Sequence, residues 1–348
     1  MLSIFLLSLL GLLQMNDTTE LVFAGDAMQH GPQLKAATQA DGTFDYSDCF
    51  SLLEDDIKLA HFAVVNLECP LGGEPYKGYP VFSCPDDFAR QLKKSGFDLL
   101  LTANNHCMDS GGAGFKRTIK ALDEMGVAHI GTYLNEKDRQ ERLPMIKEIN
   151  GLKIAFLTYT YGTNGIPVPK WAVVDLIDEN KIKNDVRIAR EKGAELICVC
   201  MHWGNEYEQL PSARQQKLAQ SLKEMGVELV IGSHPHVVQP MELSCDSHNG
   251  TGMATVYSLG NFISNQNDLN SRGGAMVTVK LAEYDNRPVV MDVKRELLFC
   301  QKPLYGKGNY KLIPCTKSDS VRADSKATFE QFMSNAENLF RKYNKNID

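Results

Sequence analysis

Along most of this chain, short apolar runs alternate with segments whose apolar residues recur at helical spacing, so the pattern reads strand, helix, strand. Leu21–Gly25 predicts a first strand ending at Asp26. Cys49–Leu59 has helical spacing, and His61–Val65 starts a strand that ends at Asn66 and Glu68. Asp86–Ser95 predicts a helix stopped at Gly96, and Phe97–Leu101 a short buried strand running into Thr102-Ala103-Asn104-Asn105-His106. Gly114–Met125 is helical again, with Gly126 at its end. Met145–Ile149 and Lys153–Tyr159 flank Asn150-Gly151, the strongest hairpin signal in the sequence. Asp178–Lys192 predicts a charged helix, Leu196–Met201 an apolar strand ending at His202, and Ser212–Met225 a helix. Val227–Ile231 then leads to His234 and His236. Met253–Leu259, Gly274–Leu281 and Val289–Phe299 complete the strands, and Ala327–Tyr343 is a terminal amphipathic helix. The Met-Gly-Val endings at 125–127 and 225–227 read as one helix-to-strand turn used twice. Such alternation implies an α/β fold with a mainly parallel sheet, made partly antiparallel by the mid-chain hairpin.

A chain of 348 residues can bury a full core. We divide it into an N-terminal segment 1–19, a main domain 20–302, and an extension 303–348 that is too short to bury a core of its own. The first thirteen residues, MLSIFLLSLLGLL, are too few to span a bilayer comfortably but have the length of a signal-peptide core. Export to the periplasm or cell envelope is the expectation; a packed terminal segment in a cytoplasmic protein is the alternative. No Cys follows closely, so no lipoprotein anchor is expected. The net charge of −6, spread without long runs, argues against a duplex nucleic-acid partner. An anionic substrate stays compatible with it, because bound divalent cations reverse the local field. Nine cysteines at scattered spacings form no disulfide scaffold. Cys198 and Cys200 read as buried small hydrophobes, and Cys69 with Cys84 could pair in an exported protein.

The chemistry-bearing residues collect where predicted strands end. Asp26 is a carboxylate at the tip of an apolar strand, where a bound metal or the cap of the next helix would explain it. Glu68 repeats the arrangement, with a reach to Lys77 as its alternative. Asn104-Asn105-His106 is poor strand material: an Asn oxygen can ligate a hard metal, and His106 can pass a proton to a leaving group. Asp109 either orients that imidazole or caps the helix beginning near Gly111. His202 emerges after an apolar run, and His234-Pro235-His236 places two rings on one face if the chain is extended there. With His30, these segments hold five of the eight histidines. His61, His129 and His248 have no motif around them and read as structural or surface residues. Asn261, after Gly260, could contact substrate or adopt a left-handed turn. Trp203 and Tyr207 suggest aromatic surface near the site.

Together these motifs resemble the capsule-synthesis CapA (poly-γ-glutamate capsule) family, within the calcineurin-like metallophosphatase superfamily. The carriers are Gly25-Asp26-Ala27-Met28, Asn66-Leu67-Glu68, Asn104–Gly111, His202-Trp203-Gly204, Gly232–Gln239 and Tyr257–Phe262, in order over residues 20–282. The resemblance implies a four-layer α/β/β/α sandwich with two divalent metal ions (Mn, Fe or Zn) at the strand ends. It implies Asp26, Glu68, Asn105, His202, His234 and His236 as metal ligands, with Glu68 where the superfamily has a bridging Asp. His106, with Asp109, would be the catalytic histidine. His30, four residues after Asp26 where the wider superfamily has Asp-x-His, is carried as a further candidate ligand. Two functions follow as expectations. One is metal-dependent hydrolysis of a phosphoester or related bond in capsule or poly-γ-glutamate metabolism. The other is a surface-polymer protein whose metals hold an anionic polymer without turnover.

Overall fold

The computed structural model describes residues 18–245, 252–284 and 287–347, so the apolar run at 1–13 and His248 lie outside the described residues. The chain first lays down four parallel strands: β1 (Thr19–Ala27), β2 (Phe62–Leu67), β3 (Leu99–Leu101) and β4 (Ala128–Ile130). Between them run α1 (Gly31–Ala37), short helices at 47–50 and 54–59, α2 (Asp86–Lys94) and α3 (Gly111–Glu124). After α4 (Glu136–Arg142), the hairpin of β5 (Met145–Ile149) and β6 (Leu152–Thr160) starts a second sheet. That sheet continues through α5 (Glu179–Glu191), β7 (Leu196–His202), α6 (Ala213–Glu224), β8 (Leu229–Ser233), β9 (Met241–Cys245) and β10 (Gly252–Val256). The chain then returns to the first sheet with β11 (Asn261–Ile263), β12 (Gly273–Tyr284), β13 (Arg287–Gln301) and β14 (Lys311–Pro314), and closes with α7 (Lys326–Tyr343).

Strand order is β14-β13-β12-β1-β2-β3-β4 in the first sheet, with β11 pairing β1, and β9-β10-β8-β7-β6-β5 in the second. The second sheet has a parallel centre and antiparallel flanks, whereas the first is parallel from β1 to its β4 edge and antiparallel from β1 to its β14 edge. The antiparallel share exceeds what the alternation alone predicts, because neighbours such as β12 and β13 are close enough in sequence to turn back without a crossover helix.

The period-2 pattern decides the layers. Along β1, Leu21 and Phe23 belong to the core shared with the second sheet, whereas Val22 and Ala24 pack with Phe88, Ala89 and Leu92 of α2. Phe62 of β2 stacks on Phe156 of β6 at 5.0 Å, fixing the contact between the sheets. On the far side of β6, Tyr159 reaches Asp185 of α5. Helices, sheet, sheet, helices make a four-layer α/β/β/α sandwich of the metallo-dependent phosphatase type. α7 packs Phe329 and Phe332 against Phe299 of β13, in the same core.

Two local readings change and a third holds. The helical stretch 49–59 is two short helices: the Ser51 hydroxyl donates to Asp48 O, and Glu54, Asp55 and Asp56 start a new helix whose N-terminus favours negative charge. The strand predicted to reach Leu259 stops at Val256, and residues 257–260 cross from the second sheet to the first. The Met-Gly-Val endings are one turn: Val127 N–H donates to Leu122 O, and Val227 N–H to Leu222 O. Cys69, Cys84, Cys198 and Cys200 are all buried free thiols. No helix among the described residues is long and apolar enough to cross a membrane.

Candidate metal centre

Every chemistry-bearing strand end points to one edge, the C-terminal end of the parallel strands in both sheets. β1 delivers Asp26, β2 leads to Glu68, β3 to Asn104–His106, β7 ends at His202, and the turn after β8 carries His234 and His236. The crossing segment passes directly against β1, where Asp26 N–H donates to Gly260 O at 3.0 Å. A Cβ on Gly25 would sit 1.9 Å from that carbonyl, so only glycine lets the two sheets close here.

Two triads of ligand-grade atoms share Glu68. Asp26, Glu68 and His236 form one and Glu68, His202 and His234 the other; within each triad the atoms lie within 4.8 Å of one another. Glu68 Oε1 is 3.7 Å from His236 Nε2 and 3.8 Å from His202 Nε2. His236 Nδ1 lies 3.2 Å from Asp26 Oδ2 and 3.1 Å from Asn261 Oδ1, both of which can only accept. Nδ1 therefore carries a proton, and Nε2 faces Glu68 Oε1. Asn105 Oδ1 and His202 Nε2 converge at 2.9 Å. His202 Nδ1 rests 3.0 Å from Ser233 Oγ.

The two imidazoles of the His-Pro-His turn arrive by a route the sequence did not suggest. The chain is not extended there: His234 has φ +97° and His236 +60°. Non-glycine residues held in that region cost about 1–3 kcal/mol each, and such strain collects at functional sites. The backbone N–H of His234 donates to Asp26 Oδ2 at 3.2 Å, which helps hold the turn.

The electrostatics are those of a site built for a cation. Burial pushes the Glu68 carboxyl well above the usual carboxylate range, and neighbouring Asp26 adds to it. Burial holds the His202 imidazole well below its ordinary value, with His234 contributing. Burial also brings His234 down to about 3, helped by His236. Against its own burial, Asp26 is held well below the usual carboxylate range by His236, His202 and Asn66. Glu68 Oε1 and His234 Nδ1 are buried with no hydrogen-bond partner. Two buried carboxylates, neutral imidazoles and orphaned acceptors fit divalent metal ions, which would supply the missing positive charge. The mixed nitrogen and oxygen donor set suits Mn, Fe or Zn.

The remaining residues named from sequence fall around this core. His106 Nδ1 is 2.8 Å from Asp109 Oδ2, which also accepts the Phe82 N–H, and Ser110 rather than Asp109 occupies the cap position of α3. Glu68 makes no ion pair with Lys77, and Asp26 does not cap α1, whose cap residue is His30. His30 stands apart from both triads. Its Nδ1 lies 3.1 Å from Gln33 Oε1 and 3.3 Å from Asn265 N, its ring is edge-on to Phe82, and burial lowers it to about 4. His61 accepts from Glu20 N–H, and His129 pairs with Asp123, both away from the site. Trp203 is buried, donating to Tyr257 O, while Tyr207 is the exposed rim aromatic.

Four further residues support the ligands. Asn66 donates from one amide nitrogen toward Asp26 (2.8 Å) and Glu68 (3.3 Å), and so aligns the two carboxylates. Asn104 anchors Asn66 and Leu67 O. Asn261 neither contacts solvent nor turns left-handed; it orients His236. Glu206 is exposed, yet it forms a third group with His234 and His236 at the mouth. Only the closeness of Glu206 to His202 in sequence could have flagged it.

The profile of the bacterial capsule synthesis protein family PGA_cap matches residues 20–266. The capsule biosynthesis protein CapA of Bacillus anthracis is 29% identical over 289 residues, 80% of this chain and 67% of that protein. The PGA biosynthesis protein CapA of Bacillus subtilis (strain 168) is 28% identical over 273 residues, 76% of this chain and 68% of that protein. Among solved structures, the calcineurin-like phosphoesterase YfkN of Bacillus subtilis is similar in fold, with TM-score 0.50 and 14% identity over 93% of this chain and 99% of that one. The fold is thus that of the calcineurin-like phosphoesterases, and the chain belongs to the bacterial capsule synthesis protein family PGA_cap.

Proposed function

We propose that this protein is a metal-dependent hydrolase of a phosphoester or related bond, working in capsule-polymer metabolism at the cell envelope. The observation that carries the reading is Glu68: a fully buried carboxylate with an orphaned oxygen between two histidine-containing triads. Asp26, Glu68 and His236 would hold one ion, and Glu68, His202, His234 and Asn105 the other. Bound metals would supply Lewis-acid polarisation of the substrate's oxygens and offset their charge.

The chain's own residues do the rest. Asn66, Ser233 and Asn261 keep ligand atoms oriented, so little ordering is left to do on binding. Asp109 fixes the His106 ring by its Nδ1, leaving Nε2 as the atom that gives a proton to the leaving group. Phe82, edge-on to His106 at 4.7 Å, walls the imidazole against water.

The test is metal content per chain by ICP-MS together with hydrolysis of bis-p-nitrophenyl phosphate. Close to two metals in the wild type, loss of metal in His202→Ala/His236→Ala, and a drop in kcat of about 10²- to 10⁴-fold in metal-replete His106→Ala are expected. Failure to bind metal after reconstitution with Mn²⁺ and Zn²⁺ sinks the reading. A second reading, in which the centre holds an anionic polymer without turnover, draws on the biosynthetic roles in the names of the two CapA relatives. Metal binding with no hydrolysis, and no effect of His106→Ala, would favour it.

A further inference from the structure

Beside the metal centre runs an open cleft of about 300 Å³ whose walls include His30, Tyr79, Tyr207, Gln266 and Asp268. None of its lining residues is Lys or Arg. The Lys302 amine is engaged behind the wall, donating to Asn265 O and Asn267 Oδ1. Tyr79 and Tyr207 are 70% and 49% exposed, so two aromatic surfaces face solvent without covering a core. Between them lie side-chain amides and one carboxylate, groups that donate to and accept from hydroxyls.

This wall is tied to the metal centre. Gln266 Nε2 donates to Tyr207 Oη at 3.3 Å, and its Oε1 accepts from Asn261 Nδ2 at 2.8 Å. Asn261 in turn accepts from His236. Tyr207 is held at φ +65° with its N–H on Pro235 O, one residue from His236. A non-glycine residue in that conformation on an exposed rim is costly, so the chain spends stability to aim this ring. The Nε2 of His30 makes no hydrogen bond among the described residues, and His30 lines the cleft.

We infer that this cleft is a subsite for an uncharged, hydroxyl-rich group, a glycosyl residue, so that the bond presented to the metals belongs to a glycosyl phosphoester. Aromatic faces pack on the apolar C–H face of a sugar while amides and a carboxylate bond its hydroxyls. A polyanionic chain meets the opposite chemistry in the lining, where Asp268 is the charged side chain and no Lys or Arg takes part among the described residues. The substrate assignment rests on the hydrolase reading; the subsite itself does not.

The experiment is saturation-transfer NMR with methyl β-glucoside and N-acetylglucosamine as probes, and with a γ-linked glutamate oligomer and adenosine as competing chemistries. Metal-loaded and metal-stripped full-length protein are both used. Transfer to the sugar ring protons is expected in both states, with binding weakened about tenfold in Tyr207→Ala and in Tyr79→Ala. Tyr79 is so exposed that its loss cannot unfold the protein, which guards against a folding artefact. Absence of sugar binding, sugar binding unchanged in both variants, or stronger binding of the glutamate oligomer or adenosine overturns the subsite. Sugar binding by a protein that hydrolyses no phosphoester upholds the subsite and refutes the hydrolase reading instead.

Discussion

The cluster of Arg139, Lys181, Asp175 and Asp185 and the cluster of Asp26, Glu68, His202, His234 and His236 both bury a pair of carboxylates, but only the first brings its own cations. Arg139 Nε meets Asp175 at 2.6 Å, Lys181 meets the same carboxylate at 2.7 Å, and the other arm of the Arg139 guanidinium takes Asp185. Tyr159 adds a hydroxyl to Asp185 at 2.8 Å. That network ties α4 and α5 to β6 with its charges balanced. The strand-end cluster instead sets its carboxylates among imidazoles, of which burial holds His202 and His234 well below their ordinary value. A carboxylate oxygen without a partner occurs in both clusters, Glu68 Oε1 here and Asp175 Oδ2 there, but only the second lies beside cationic side chains. Two buried polar clusters of similar size thus differ in one respect, internal charge balance. That difference separates a staple from a site awaiting a cation.

The comparison breaks most sharply at Arg139. Arg139→Ala strands Asp175 and Asp185, and about 3–5 kcal/mol of stability should be lost in urea unfolding while metal content per folded chain stays the same. Equal metal loss would mean the two clusters are not independent. Next in size is Asp109→Asn, which leaves His106 in place but unoriented. A fall in kcat of about 10- to 100-fold with an altered pH profile is expected, and a variant with wild-type kcat would remove Asp109 from the mechanism.

Smaller, and of opposite sign to Arg139→Ala, is Glu68→Gln. In metal-stripped protein it removes an uncompensated buried carboxylate, so unfolding at pH 8 should show unchanged stability or a gain of about 1 kcal/mol. Metal affinity should fall in the same variant. A clear loss of metal-free stability would contradict the charge-imbalance argument.

The smallest effect is a pH slope. His30, His129, His202 and His234 all have folded-state values lowered by burial, His30 to about 4 and His234 to about 3. The unfolded chain therefore binds more protons than the folded one below pH 6.5. The stability of metal-stripped protein should fall progressively from there toward pH 4. Glu68, raised by burial, works the other way and loses its contribution as pH rises. A thermal midpoint that is flat or rises from pH 6.5 to 4.5 would contradict the histidine burial described here.

Much of the site was legible because it sits where local patterns end. Asp26, Glu68, Asn105, His202, His234 and His236 each follow an apolar strand, and polar residues at strand ends are conspicuous in a sequence. The sequence pointed to Asn66 and Asn261 only as motif or turn residues, because a single amide inside or beside a strand carries no sign of what it orients. Their roles exist only through partners 40 and 25 positions away. His30 shows the converse: a histidine with a motif-like neighbour can be drawn off by its own helix cap.

The sequence by itself determined most of the longer elements and most of the inventory of candidate ligands, since periodicity, caps and strand-end polarity are short-range properties written in consecutive residues. The tertiary structure alone decided which atoms meet. The Val256–Asn261 crossing, the strained His234–His236 turn and the pairing of two sheets set the distances around Glu68. Each depends on contacts between residues far apart in the chain, where no local pattern reaches.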